Sequence, residues 1–128
     1  MSQEARIKSF TDLISWQKGH ELVLAIYDLV KKFPVDEKYA LSAQLRRATV
    51  SITSNIAEGF SRRSYADKKH FYTMSHGSLT EVQNQLLIAR DTGMITQADF
   101  SDVANLAIEV HKLLSGLIKK TEEKLHDS

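Results

Sequence analysis

The chain has 128 residues, 42% of them hydrophobic and 26% charged, with a formal net charge of +1; this is the make-up of one ordinary globular domain, too short for two. It has no cysteine, which excludes a disulfide framework and any thiolate zinc site. Its longest apolar run, residues 22–27, falls far short of the roughly 18 residues of a membrane span, and residues 1–9 lack the apolar segment and small-residue cleavage site of a signal peptide, so the expected address is the cytoplasm.

Helix 1 is predicted over about residues 12–33. Leu13, Trp16, His20, Val23, Tyr27 and Val30 recur at steps of three and four, and a second stripe of Gly19, Leu22, Ile26, Leu29 and Phe33 lies beside it. Such spacing marks one face of a helix, and two adjacent stripes make a surface wider than a single packing seam needs. The only proline, Pro34, pushes Phe33 out of the α region and ends the helix. Helix 2 is predicted over about residues 36–58, with the stripe Leu41, Leu45, Ala48, Ile52 and Ile56 and Gly59 as its stop. Ser64 with Asp67 has the form of a capping box and opens helix 3, whose stripe reads Phe71, Met74, Ser78, Val82, Gln85 and Ala89, widened by Leu79, Leu86 and Leu87. Gly93 closes it. Thr96 with Asp99 opens helix 4, where Phe100, Val103, Ala107, Val110, Leu114 and Leu117 step without a miss beside Leu106 and Leu113. Residues 122–128 read as a frayed polar end. Gly19, Gly77 and Gly116 fall within helices, where each costs about 1 kcal/mol against alanine, and are read as close helix contacts. The fold class is therefore all-α: a single domain over residues 1–128, ordered over about 10–121, with short joints that favour an up-down-up-down four-helix bundle.

Charge is uneven along the chain. Residues 1–75 carry 12 basic and 8 acidic side chains, and residues 76–128 carry 5 and 8. Between Lys38 and Lys69 stand Lys38, Arg46, Arg47, Arg62, Arg63, Lys68 and Lys69 against only Glu58 and Asp67, a local basic patch on a nearly neutral protein.

Several short elements carry a resemblance: Trp16-Gln17 in an amphipathic first helix, Phe33-Pro34 at its end, Leu45-Arg46-Arg47-Ala48, Ser54-Asn55-Ile56-Ala57-Glu58-Gly59, and Gly77-Ser78 with Glu81. Together, over about residues 10–120, they resemble the four-helix-bundle proteins encoded in intervening sequences of bacterial 23S ribosomal RNA genes. The resemblance implies a left-handed up-down bundle that assembles into a ring, typically a homopentamer. It also implies kinship with accessory proteins of diversity-generating retroelements, which bind nucleic acid and a reverse transcriptase and are often more basic than this chain. No catalytic residue, cofactor or metal carries over.

Three functional readings stand open. In the first, an oligomeric, non-enzymatic interaction protein contacts RNA or a reverse-transcriptase-like partner through Arg46, Arg47, Arg62, Arg63, Lys68 and Lys69, since affinity for nucleic acid grows with the phosphates neutralised; Tyr65, Phe71 and Tyr72 add stacking, while Trp16, Asn55, Glu58, Gly59, Gly77 and Glu81 serve structure and interface. In the second, the same oligomer is a protein-binding scaffold with no nucleic-acid role. In the third, Arg63 and His70 act as phosphate stabiliser and general acid or base of a small ribonuclease; one such pair in a basic segment is weak support. A di-iron bundle needs paired Glu-x-x-His motifs, and only Glu123 to His126 has that spacing. His20 sits on an apolar stripe as a core or interface histidine, and His70, His76 and His111 have no ligand spacing among themselves.

Overall fold

A computed structural model describes residues 7–127; residues 1–6, which hold most of the segment searched for a signal peptide, and Ser128 lie outside them. The described residues are all helical, without a strand: α1 (Ile14–Leu29), α2 (Leu41–Ser61), α3 (Tyr65–Asp91) and α4 (Gln97–Asp127). No helix among them is long and apolar enough to cross a membrane.

The helix boundaries follow from local chemistry, with three departures from the sequence reading. A 3-10 turn, Phe10–Asp12, precedes α1 and is held by a reciprocal capping box in which Ser9 Oγ and the Asp12 carboxylate each accept backbone N–H groups. Donation from the Lys8 and then the Ser9 N–H holds the Asp12 carboxyl below its usual value. As Pro34 requires, Phe33 is extended, with φ −71° and ψ 152°. Helix 2 does not start at Asp36: Val35–Glu37 is a separate 3-10 turn, and α2 begins only at Leu41, whose N–H donates to the Glu37 carboxylate at 3.2 Å. Gly59 does not stop α2, which runs on to Ser61. Gly93 does adopt the left-handed conformation, with φ 78°. The N-termini of α3 and α4 show the N-cap half of the predicted capping boxes, Ser64 Oγ and Thr96 Oγ1 each accepting the N–H three residues on at 3.1 Å. The third departure is at the end of the chain: residues 122–127 are not frayed but complete the last turns of α4, tied to α3 by Lys69–Glu122 at 3.3 Å.

Helix α1 packs against α2 and α4, and α3 packs against the same two. Cross-contacts descend along one helix as they ascend along its neighbour. Lys18–Glu109 joins α1 to α4, and Lys32–Asp99 joins the 3-10 turn Val30–Lys32 after α1 to the start of α4. Arg90 over Phe100, His76 beside His111 and Lys69–Glu122 join α3 to α4, and Ser78–Ser51 and Ser75–Ile52 join α3 to α2.

The core is built from Leu22, Ile26, Leu45, Ile52, Ile56, Leu79, Val82, Leu86, Val110 and Leu114, all fully buried; each such side chain contributes about 1.5–3 kcal/mol by leaving water. The α2 and α4 stripes match the reading. On α1 the second stripe faces the core, with Leu22, Ile26 and Leu29 buried, while the first runs along its margin, with Leu13 buried, Trp16, Val23 and Val30 half-buried and His20 and Tyr27 exposed. Gly19 decides this. A Cβ there would stand 3.0 Å from Thr53 Cγ2, so only this face lets α2 come close. On α3 the predicted stripe holds from Leu79 onward, where Val82, Gln85, Leu86 and Ala89 are buried, and is rotated only in the first turns. Tyr72, Ser75 and Leu79 face inward, and Met74 is exposed, because Ser75 Oγ donates to the Ile52 carbonyl at 2.7 Å and Tyr72 lies over Gly59.

Candidate nucleic-acid interface

The turn between α2 and α3 is three residues long, so it gathers Arg62, Arg63, Lys68 and Lys69 at one end of the molecule. Arg46 and Arg47 are not part of that cluster. They lie some 16 residues back along α2, roughly 24 Å at 1.5 Å per residue, where Arg46 reaches the Lys38 carbonyl at 3.5 Å and Arg47 donates to Gln44 Oε1 at 3.3 Å.

Three of the four clustered cations already have partners. Arg62 pairs with Glu58 at 2.9 Å and lies 4.5 Å over the Phe71 ring. Lys68 Nζ donates to the Phe60 carbonyl at 2.7 Å and the Gly59 carbonyl at 3.4 Å. It thereby satisfies carbonyls that the end of α2 leaves open, and burial pushes its pKa down. Lys69 is held by Glu122 across α4. Arg63 alone is exposed with no hydrogen bond or ion pair. Of the three aromatic candidates for stacking, Tyr65 is 40% exposed, Phe71 is half-buried beneath Arg62, and Tyr72 is 3% exposed. Tyr72 is therefore a core residue, its phenol pushed up to about 12 by burial.

Because α4 continues to Asp127, its last turns join this end. A cavity of about 270 Å³ opens between Leu13, Phe60, Tyr65 and Tyr72 on one side and Leu117 and Thr121 on the other, with Lys68, Lys120 and Lys124 around it. The sequence reading missed Lys124 by treating residues after 121 as a tail, and passed over Lys120 by confining the basic patch to the run from Lys38 to Lys69. The signal was the unbroken three-and-four step Leu114, Leu117, Thr121 and Leu125, which carries the helix past that point.

Of the family-like residues, Glu58 and Gly59 belong to this end and the others lie elsewhere. Trp16 is half-buried between Phe10 (centroids 5.4 Å, edge-on) and His20 (4.8 Å, stacked), so His20 is an exposed partner of the indole rather than a core histidine. Asn55 Nδ2 donates to the Ser51 carbonyl at 2.9 Å and to Ser51 Oγ at 3.0 Å, and Ser51 Oγ accepts from Ser78 at 2.9 Å. Glu58 makes the predicted pair with Arg62. Gly59 is a close contact, with Tyr72 Cε1 2.7 Å from where a Cβ would stand. Gly77 and Gly116 are not, having nothing within 4 Å. Glu81 is exposed and accepts from Gln85 Nε2 at 3.0 Å, leaving Gln85 Oε1 buried without a partner.

Arg63 and His70 make no contact with each other, and His70 instead sits edge-on to Phe71 at 5.4 Å. No group of three or more metal-type ligands converges among the described residues.

Comparison with known proteins places this architecture. No curated protein matches the chain. A crystal structure from Bacteroides thetaiotaomicron VPI-5482, of a protein with unknown function from the S23 ribosomal protein family, is similar to it at 28% identity and a TM-score of 0.76, covering 83% of this chain and 99% of the other. The 23S rRNA-intervening sequence protein family matches residues 11–116, and the chain belongs to that family.

Proposed function

We propose that the protein is a non-enzymatic, cytoplasmic, homo-oligomeric interaction protein. Its four helices form a left-handed up-down-up-down bundle, the copies close into a ring of five, and the cationic end presents Arg63, Tyr65 and the lysines of α3 and α4 to RNA or to a reverse-transcriptase-like protein. The observation that carries self-association is the outward side of α1. After the core is complete, Leu24 remains 58% exposed, Ile14 48% and Tyr27 43%, beside the half-buried Trp16 and Val23. A helix with apolar side chains on both sides of its axis has a second surface to cover. The opposed cross-contacts between neighbouring helices support the bundle topology. A ring would repeat the cationic end around one axis, multiplying the phosphates it can neutralise.

The scaffold reading without nucleic acid is favoured by one observation: Arg62, Lys68 and Lys69 spend their charge on Glu58, on helix-end carbonyls and on Glu122. The two readings share the oligomer and differ at the cationic end. Leu24→Glu and Tyr27→Glu place a carboxylate on the outer face of α1 without touching the core. The expected result is loss of the oligomer with helicity retained. An unchanged mass in both variants would remove α1 as the interface.

A further inference from the structure

The strongest arrangement outside the cationic end is a pair of histidines from different helices. His76 on α3 and His111 on α4 are 35 positions apart in sequence. Their Nε2 atoms are 3.0 Å apart, with ring centroids 4.9 Å apart and ring planes at 55°. Both side chains are half-buried, and two packed helices fix their register. At this distance one Nε2 carries a hydrogen and the other presents its lone pair.

We propose that His76 and His111 form a two-histidine clip for a divalent transition metal of the zinc, nickel and copper class. Bonds from such ions to imidazole nitrogen are about 2.0–2.1 Å, so two nitrogens on adjacent coordination positions stand about 2.9–3.4 Å apart. The observed separation lies within that interval, and the ion needs only a small opening of the rings to seat itself between them. Coordination requires a free lone pair on both Nε2 atoms. The donor imidazole shifts its hydrogen to Nδ1 by exchange with water, and two neutral rings bind the ion with no net proton released. A ring protonated on both nitrogens has no lone pair, so acid competes with the metal.

The surroundings select the kind of ion. Thr73 and Ser115, one turn from each histidine, line an open cleft of about 410 Å³ beside His76, which leaves room for water to complete the coordination sphere. The cleft's charged groups are Lys69, Lys119 and Glu122, and Glu122 is engaged by Lys69. Two imidazoles with no free carboxylate disfavour magnesium and calcium, which take oxygen ligands, and favour nitrogen-seeking ions in the order nickel below copper. A bound ion would cross-link α3 to α4 at mid-length.

The test is calorimetric titration of tag-free protein with nickel chloride, with magnesium chloride as control. The expected result is one saturable nickel site per chain, absent with magnesium, accompanied by a rise in melting temperature. His76→Gln and His111→Gln should each weaken it at least about tenfold, with far-UV circular dichroism confirming that they fold. A variant that carries His20→Gln, His70→Gln and His126→Gln together should keep the site, and it decides the matter even if the paired histidines are needed for folding, because all three replaced side chains are exposed. No saturable uptake by the unaltered protein, uptake unchanged in folded His76→Gln, or uptake lost in the triple variant would overturn the proposal.

Discussion

Gly59→Ala is expected to destabilise the protein, although alanine is the better helix former. Gly59 lies inside α2 with ordinary helical backbone, so propensity alone predicts a gain of about 1 kcal/mol. The added Cβ, however, would stand 2.7 Å from Tyr72 Cε1, 2.9 Å from Tyr72 Cδ1 and 3.1 Å from Phe71 Cβ. Carbon atoms settle at about 3.5–4.0 Å, so α2 and α3 must part by roughly 0.8 Å or the ring must swing. The ring is 3% exposed and packed in the core, which leaves the helices to move. Overpacking of this kind costs about 1–3 kcal/mol, and from the middle of that range the net expectation is a loss of about 1 kcal/mol after the propensity gain. Gly116→Ala is the matched control, because nothing lies within 4 Å of its added methyl, and it should gain up to about 1 kcal/mol. Urea unfolding at one protein concentration reads both as shifts of the midpoint at constant slope. A Gly59→Ala protein as stable as the parent, or more stable, would refute the role of Tyr72 as the lid on that glycine.

Burial raises the Tyr72 phenol from 10.0 to about 12. The folded state then holds a proton that the unfolded chain releases, so this contribution is complete below pH 10 and is lost as pH rises towards 12. Tyr72→Phe should flatten that alkaline limb in pH-dependent melts, and an identical limb would contradict the assignment. Lys68→Met removes two hydrogen bonds from a cation to the end of α2 and should cost about 1.5–3 kcal/mol, read in the same urea assay; no loss would mean that water caps those carbonyls equally well. For nucleic acid, fluorescence anisotropy with a single-stranded RNA should show affinity falling with salt, and Arg63→Gln should lower the log–log slope by about 0.7. RNA binding without salt dependence, or none at low salt, would leave the scaffold reading.

Much of this fold was legible because periodicity and caps are local signals. Pro34, Ser64, Thr96 and Gly93 mark their boundaries, and the α2 and α4 stripes face inward as read. The late start of α2 is local, set by the Glu37 carboxylate on the Leu41 N–H; the other departures were settled by contacts with distant segments. Both α1 stripes are apolar, and only the approach of Thr53 to Gly19 selects the buried one. Gly59 reads as a stop until the Tyr72 ring is seen above it. Residues 122–127 read as a tail until Lys69 pairs with Glu122. The basic residues were found, but their neutralisation by Glu58, by carbonyls and by Glu122 was not, since one-dimensional charge counting omits partners across helices. The His76–His111 pair had no sequence signal, because a separation of 35 residues becomes a contact only through the packing of α3 on α4.

Self-association is the centre of this account, and sedimentation equilibrium of the unaltered protein at tens of micromolar tests it most directly. Five copies of a 14.5 kDa chain give about 72 kDa, and that mass is the predicted result. A single species of 14.5 kDa would contradict the account and leave Leu24, Tyr27 and Ile14 as apolar side chains with nothing to cover them.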